Sequence, residues 1–318
     1  MLPPHDADPT SSASGIIPFT VPSIDRPCYT YYKVFGDLSC GAIPLIGLHG
    51  GPGGGHAGLL PYTKLWLRYG IPVILYDQIG CGHSTHLRHK AGDEAFWQES
   101  LFVAELYNLL EFFNLPNGPG YFLLGSSWGA MLGSAFATSQ PRGLKRLVLA
   151  SGAASRELAT RGIGLRVNEL AQDVQDVINR GLEQRRFDTE EYANAMGVYL
   201  RRFLCRLDPI PKEILASMDN QRDDGTVYKT MLGPSVHLSL GSLAEWTVVP
   251  RLHRIAVPTL VYNGEYDSSH DVAQTPFFER IPDVRWKTIA GASHSCVFEK
   301  QDEVLRLVGD FLTDHLNS

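Results

Sequence analysis

The 318-residue chain lacks what would suit it to a nucleic acid, a lipid bilayer or a disulfide-stabilised exterior. Lys and Arg number 28 against 34 Asp and Glu, for a formal charge of -6, so no basic surface is expected and nucleic acid is excluded as a partner. No apolar run reaches the roughly 18 residues of a membrane span. The opening "MLPPHDADPTSSASG" also lacks the charged and apolar regions of a signal peptide. No membrane partner and a cytoplasmic location are therefore expected. Five cysteines, Cys28, Cys40, Cys81, Cys205 and Cys296, are odd in number and scattered without a CxxC pair. That argues against a disulfide framework or a zinc site and for buried free thiols.

What is present is an alternation. Short apolar runs bounded by Gly, Pro or Asp recur as "CYTYYKVFG", "AIPLIGLHG", "PVILYDQ", "YFLLGS", "LKRLVLASG", "PTLVYNGEYD" and "RWKTIAG". Several are continuous, as expected of parallel strands covered on both faces. Between them lie segments with helical periodicity. In "EAFWQESLFVAELYNLLEFF" it places Trp97, Leu101, Phe102, Leu106, Leu109 and Phe113 along one stripe. Alternating strands and helices predict a mostly parallel, doubly wound α/β sheet. Residues 1–18, rich in Pro, Ser, Asp and Ala, read as a flexible tail. Residues 155–243 are patterned as helices without a strand, and strand-like runs resume at Pro258. This predicts a helical cap inserted into a core of residues 19–154 and 244–318.

The chemistry concentrates at strand ends. Gly125-Ser126-Ser127-Trp128-Gly129 fits G-x-S-x-G only with Ser127 central, because the alternative register puts Leu124 where the first glycine is needed. A strand before and a helix after are the context of a nucleophile elbow. A serine hydroxyl requires a base, itself oriented by a carboxylate. Asp267, at the end of "TLVYNGEYD", and His294, in "GASHS", follow in the order Ser, acid, His. Glu265 and Asp271 compete for the acid role and His270 and His253 for the base; Glu265 is expected to shape the turn. The loop His49-Gly50-Gly51-Pro52-Gly53 follows a strand and is expected to supply one oxyanion donor, with the Trp128 N–H as the other. The glycine-rich loop has no GK[ST] ending and no dinucleotide spacing, so no cofactor and no metal is expected.

Beyond these elements, "HGGPGGGH", "YDQIGCGHS", "GSSWG", "CRLDPIP", "VYKTMLGPS", "GSLAEW" and "PTLVYNGEYD" run in an order that resembles proline iminopeptidases and tricorn-interacting aminopeptidases. The resemblance extends from about Tyr29 to the C-terminus. It implies an α/β-hydrolase core with a helical cap, with Ser127 as nucleophile, Asp267 as orienting acid, His294 as base, and the N–H groups of Gly51 and Trp128 as oxyanion hole. The same resemblance implies acidic residues that hold a substrate ammonium, one in a GP-x-E-F segment and another after the triad aspartate. Here Val236 and His237 stand in "GPSVH", and Ser268 follows Asp267. The expectation is therefore a serine hydrolase acting on an amide or ester of a small molecule or short peptide without a free amino terminus, with Val236, His237, Ser268 and Glu245 near the substrate. Two alternatives stand beside it. One is a genuine proline iminopeptidase, in which another cap acid such as Glu169, Asp173 or Glu245 has taken over. The other is an acyltransferase or cyclising enzyme using the same acyl-enzyme.

Overall fold

A computed structural model describes residues 8–21, 23–238 and 240–314. Its framework is one eight-stranded sheet: β1 (Ala13–Phe19), β2 (Cys28–Phe35), β3 (Leu45–Leu48), β4 (Val73–Asp77), β5 (Tyr121–Ser126), β6 (Leu144–Ala150), β7 (Thr259–Gly264) and β8 (Val284–Ile289). The spatial order is β1-β2-β4-β3-β5-β6-β7-β8. β1 pairs with β2, and β2 with β4, antiparallel; every other pair is parallel. The burial explains the sequence pattern. β3, β4 and β7 are buried along their whole lengths, so their runs are continuous. The edge strand β8 alternates between half-buried and exposed positions from Val284 to Lys287, and only its last residue, Ile289, is buried.

Helices cover both faces. They are α1 (Lys64–Tyr69), α2 (Glu99–Phe112), α3 (Trp128–Ala137), α4 (Arg156–Val167), α5 (Gln172–Gln184), α6 (Glu190–Phe203), α7 (Lys212–Asp223), α8 (Thr226–Leu232), α9 (Asp271–Arg280), α10 (Cys296–Glu299) and α11 (Gln301–Thr313). Five of these, α4 to α8, lie between β6 and β7. Ser155 caps α4 by accepting from the Leu158 N–H at 3.2 Å, and Thr189 caps α6 by accepting from Tyr192 at 3.2 Å, each satisfying a donor that the first turn leaves open.

Three expectations change. Residues 13–18, expected in a flexible tail, belong to β1, while residues 1–7 lie outside the described residues. Only Ile17 and Phe19 of β1 are buried, and Pro18 lies between them. The strand exists because β2 supplies a partner, and Pro is tolerated at an edge. The apolar stripe of α2 carries a buried carboxylate, Glu105, beside Phe102, Leu106 and Leu109. Of the cysteines, Cys40 is exposed rather than buried, because it closes a short surface turn.

Candidate active site

The chain reverses direction in the sheet at β3, with β4 on one side and β5 on the other. The loops leaving β3 and β5 therefore diverge, and their ends border a crevice. β5 ends at Ser126, paired with Ala150 of β6. The next residue, Ser127, has φ 57° and ψ −117°, a strained backbone held by Ser127 N–H donating to the Ala150 carbonyl at 2.9 Å. A Cβ on Gly125 would fall 2.1 Å from the Gly129 carbonyl oxygen, and one on Gly129 would fall 2.0 Å from that of Leu48. The two glycines are thus required for strand and helix to meet at this turn.

Trp128 opens α3, where its backbone N–H has no acceptor within the helix. Facing it is the loop after β3: a Cβ on Gly50 would sit 3.1 Å from Ser127 Cβ, and Gly51 has φ 121°. A buried polar network ties the two together. The Gln78 N–H donates to His49 Nε2 at 2.9 Å, the Gln78 side-chain amide donates to the His49 carbonyl at 3.2 Å, and the Trp128 indole donates to Gln78 Oε1 at 2.9 Å. Because His49 Nε2 accepts, its proton sits on Nδ1, which donates to the Gly50 carbonyl at 2.9 Å. Burial lowers the His49 pKa, which keeps the ring neutral and the tautomer fixed.

Asp267, fully buried, follows β7. Its Oδ1 accepts from His294 Nδ1 at 2.6 Å and from the Ser269 N–H at 2.7 Å, and Oδ2 accepts from the Gly264 N–H at 3.3 Å. Burial alone would depress His294, but the charge and hydrogen bond of Asp267, helped by Glu299, outweigh it and raise its pKa above 6.5. Glu265 accepts from the Gly291 N–H at 2.8 Å, tying the acid loop to the loop of His294. The rival candidates lie elsewhere. Asp271 accepts from Asn263, His270 caps α9 through the Val272 N–H, and His253 is exposed.

Two of the helices between β6 and β7, α4 and α6, also fix these loops. The carbonyl of Phe203, at the end of α6, accepts from the N–H groups of Ser268 at 3.0 Å and His294 at 3.1 Å. Arg166 of α4 donates to the carbonyls of Asp267 at 2.8 Å and Glu265 at 2.6 Å, and pairs with Glu169 at 2.7 Å. Sequence reasoning missed Gln78, Arg166 and the end of α6. Only "YDQ" hinted at Gln78, as a polar residue closing an apolar strand.

Ser127, Trp128, Gly51, His294, Val236 and Ser268 all line one cavity of about 840 Å³, within the usual range for a site that encloses a small molecule. Two expected lining residues do not. His237 is buried, stands edge-on to Tyr199 at 5.1 Å, and contacts Ser235 Oγ at 3.3 Å. It borders a separate, smaller pocket with Thr160 and Leu182, and burial, reinforced by Arg156, pushes its pKa down to about 4. Glu245 is exposed, because the turn that places it brings the neighbouring Trp246 inward toward Glu99. Among the described residues no Asp or Glu lines the cavity, whereas Arg156, Arg222 and Lys229 do. Also among them, no cluster of three or more His, Cys, Asp or Glu could hold a metal ion, and no helix is long and apolar enough to cross a membrane.

The sheet order, the elbow and the crevice are those of an α/β-hydrolase. The family model for the alpha/beta hydrolase fold matches residues 43–301, and the chain belongs to that family. Within it the chain is of proline iminopeptidase type. It is 32% identical over 276 residues to proline iminopeptidase of Heyndrickxia coagulans, covering 87% of this chain and 92% of that one. It is 30% identical over 285 residues to the enzyme of that name from Saccharolobus solfataricus, covering 89% and 88%. Among solved structures it resembles VinJ (TM-score 0.89, 38% identity, 96% of this chain and 99% of the other) and proline iminopeptidase of Mycobacterium smegmatis (0.87, 34%, 95% and 98%). The relatives and the family model make the chain a hydrolase.

Proposed function

We propose that this chain is a serine hydrolase that opens an amide or ester bond of a small molecule or short peptide through an acyl-enzyme on Ser127, with residues 155–243 serving as its cap. The observation that carries the reading is the strained Ser127 turn sharing a cavity with His294, which Asp267 holds at 2.6 Å. Ser127 Oγ attacks the acyl carbon as His294 Nε2 takes its proton. The N–H groups of Gly51 and Trp128 receive the developing oxyanion, and the proton passes to the leaving amine or alcohol. Water, deprotonated by the same histidine, then releases the acid.

The names of the relatives support release of an N-terminal proline better than they support the expectation of a substrate without a free amino terminus. One observation favours that expectation as a second reading: no carboxylate among the described residues lines the cavity to hold an ammonium, and a buried, unpaired ammonium is strongly disfavoured. Rates on proline and alanine arylamides measured beside aryl esters and N-acyl amides separate the two. Selective cleavage of proline arylamide establishes the first reading; esters and N-acyl amides turned over with free-amine substrates ignored establishes the second. Labelling by a fluorophosphonate is expected to vanish in Ser127→Ala and persist in Ser126→Ala, and the reverse pattern refutes the assignment of Ser127.

A further inference from the structure

The wall of the cavity carries charge of one sign, and its most buried member lacks a counter-ion. Arg156, the first residue of α4, is 4% exposed and lines the cavity. One guanidinium nitrogen, Nη2, donates to the carbonyls of Val236 and, at 2.6 Å, Leu238. Its Nε is buried without a hydrogen-bond partner among the described residues. No carboxylate within salt-bridge distance of Arg156 is found among those residues, and Val236, beside it, is apolar. The other two cations are less committed: Lys229 is exposed, and Arg222 is largely exposed and pairs with exposed Asp219.

A neutral amide donor could staple the 236–238 backbone to α4. A guanidinium does so while also bearing the desolvation cost of a full positive charge. That cost is offset when an anion enters beside it, through charge-assisted bonds that Arg makes well with carboxylates. We propose that the substrate brings a carboxylate into this cavity and that Arg156 binds it. This rests on the reading of the cavity as the site served by Ser127. For a short peptide the carboxylate is the C-terminal one; for an ester or amide of a dicarboxylic acid it is the distal one. Arg156 is then a specificity residue for a carboxylated substrate, and it is compatible with a prolyl or a neutral acyl group at Ser127.

The test uses matched pairs on the wild-type enzyme: Pro-Gly against Pro-Gly amide, and mono-4-nitrophenyl glutarate against 4-nitrophenyl valerate. Whichever pair is turned over, the acid member is expected to lead in kcat/KM by about 10- to 100-fold, the worth of one charge-assisted contact. Arg156→Gln should remove that lead while leaving the neutral member within about threefold, and Arg156→Lys should retain part of it. Equal or better turnover of the neutral members by the wild type overturns the proposal, even if the Gln variant does not fold. An equal loss on both members in Arg156→Gln also overturns it and leaves Arg156 a staple. Turnover by Ser127→Ala would instead sink the assignment of the site, with the pair preference still readable.

Discussion

Replacing Gln78 with Met probes the support behind the two proposed oxyanion donors, the N–H groups of Gly51 and Trp128. Met keeps the length of the side chain and removes both polar atoms, so the change deletes the bonds to the Trp128 indole and the His49 carbonyl without opening a large cavity. Gln78, His49 and Trp128 are each at most 2% exposed, so the orphaned indole N–H and carbonyl meet no water. Each costs about 1 to 3 kcal/mol, giving a stability loss of about 2 to 6 kcal/mol, measurable by urea unfolding. The effect on turnover is distinct. Trp128 and the loop at Gly50 and Gly51 lose the side chain that connects them, and the backbone donors lose their preset spacing. Complete loss of one donor costs about 10² to 10³ in kcat, so misplacement should cost about 10- to 100-fold in kcat with KM little changed. Affinity for a boronate that mimics the tetrahedral intermediate should fall by a similar factor. Trp128→Phe, which removes the same indole bond, should add little to Gln78→Met, since both act on one contact. If Gln78→Met lowers stability as expected but leaves kcat and boronate affinity within twofold, the network is structural only and the reasoning fails.

Two further outcomes follow from the electrostatics. In Asp267→Asn the main anion that raises the His294 pKa is gone and burial is opposed only by the smaller pull of Glu299, so the acid limb of kcat/KM should move to lower pH. Its plateau should fall by about 10⁴, the scale seen when such an acid becomes an amide, and a limb that stays in place would show that His294 is not the titrating base. Burial, only partly countered by bonds from Thr30 and the Ile79 N–H, raises Glu105 from 4.5 to about 8. A carboxyl pKa higher in the folded chain gives stability that is complete below about pH 4.5 and lost as pH rises to about 8. Glu105→Gln should therefore flatten that decline and gain about 3 to 5 kcal/mol at pH 8 to 9, at roughly 1.36 kcal/mol per unit. Parallel stability curves for the two proteins across pH 5 to 9 would contradict this.

Much of the molecule is legible in its residues because the cause is local. The continuous runs "LIGL" and "VILYD" are strands buried on both faces. The glycines at 125 and 129 flank Ser127 because any Cβ there meets backbone, and Asp267 and His294 stand just beyond β7 and β8. What was not legible depends on partners distant in sequence. The strand β1 reads as tail until β2 is placed beside it. His237, three residues past the end of "GP" in "GPSVH", reads as a pocket residue, yet the short bend after Pro234 directs it onto Tyr199. Glu245, the one acid near "GSLAEW", turns to solvent because Trp246 takes the inward position.

The sequence by itself determined the alternation that makes the sheet, the register that selects Ser127 over Ser126, and the order of serine, acid and histidine, because period, glycine spacing and chain order are written along one dimension. Only the tertiary structure decided what surrounds them. Gln78 joins His49, 29 residues before it, to Trp128, 50 residues after it, the end of α6 grips the loops of Asp267 and His294, and Arg156 is buried in a cavity that no described carboxylate lines. Those features arise from which chain segments are brought together and how much water is excluded between them, quantities that exist only once the sheet has ordered its strands.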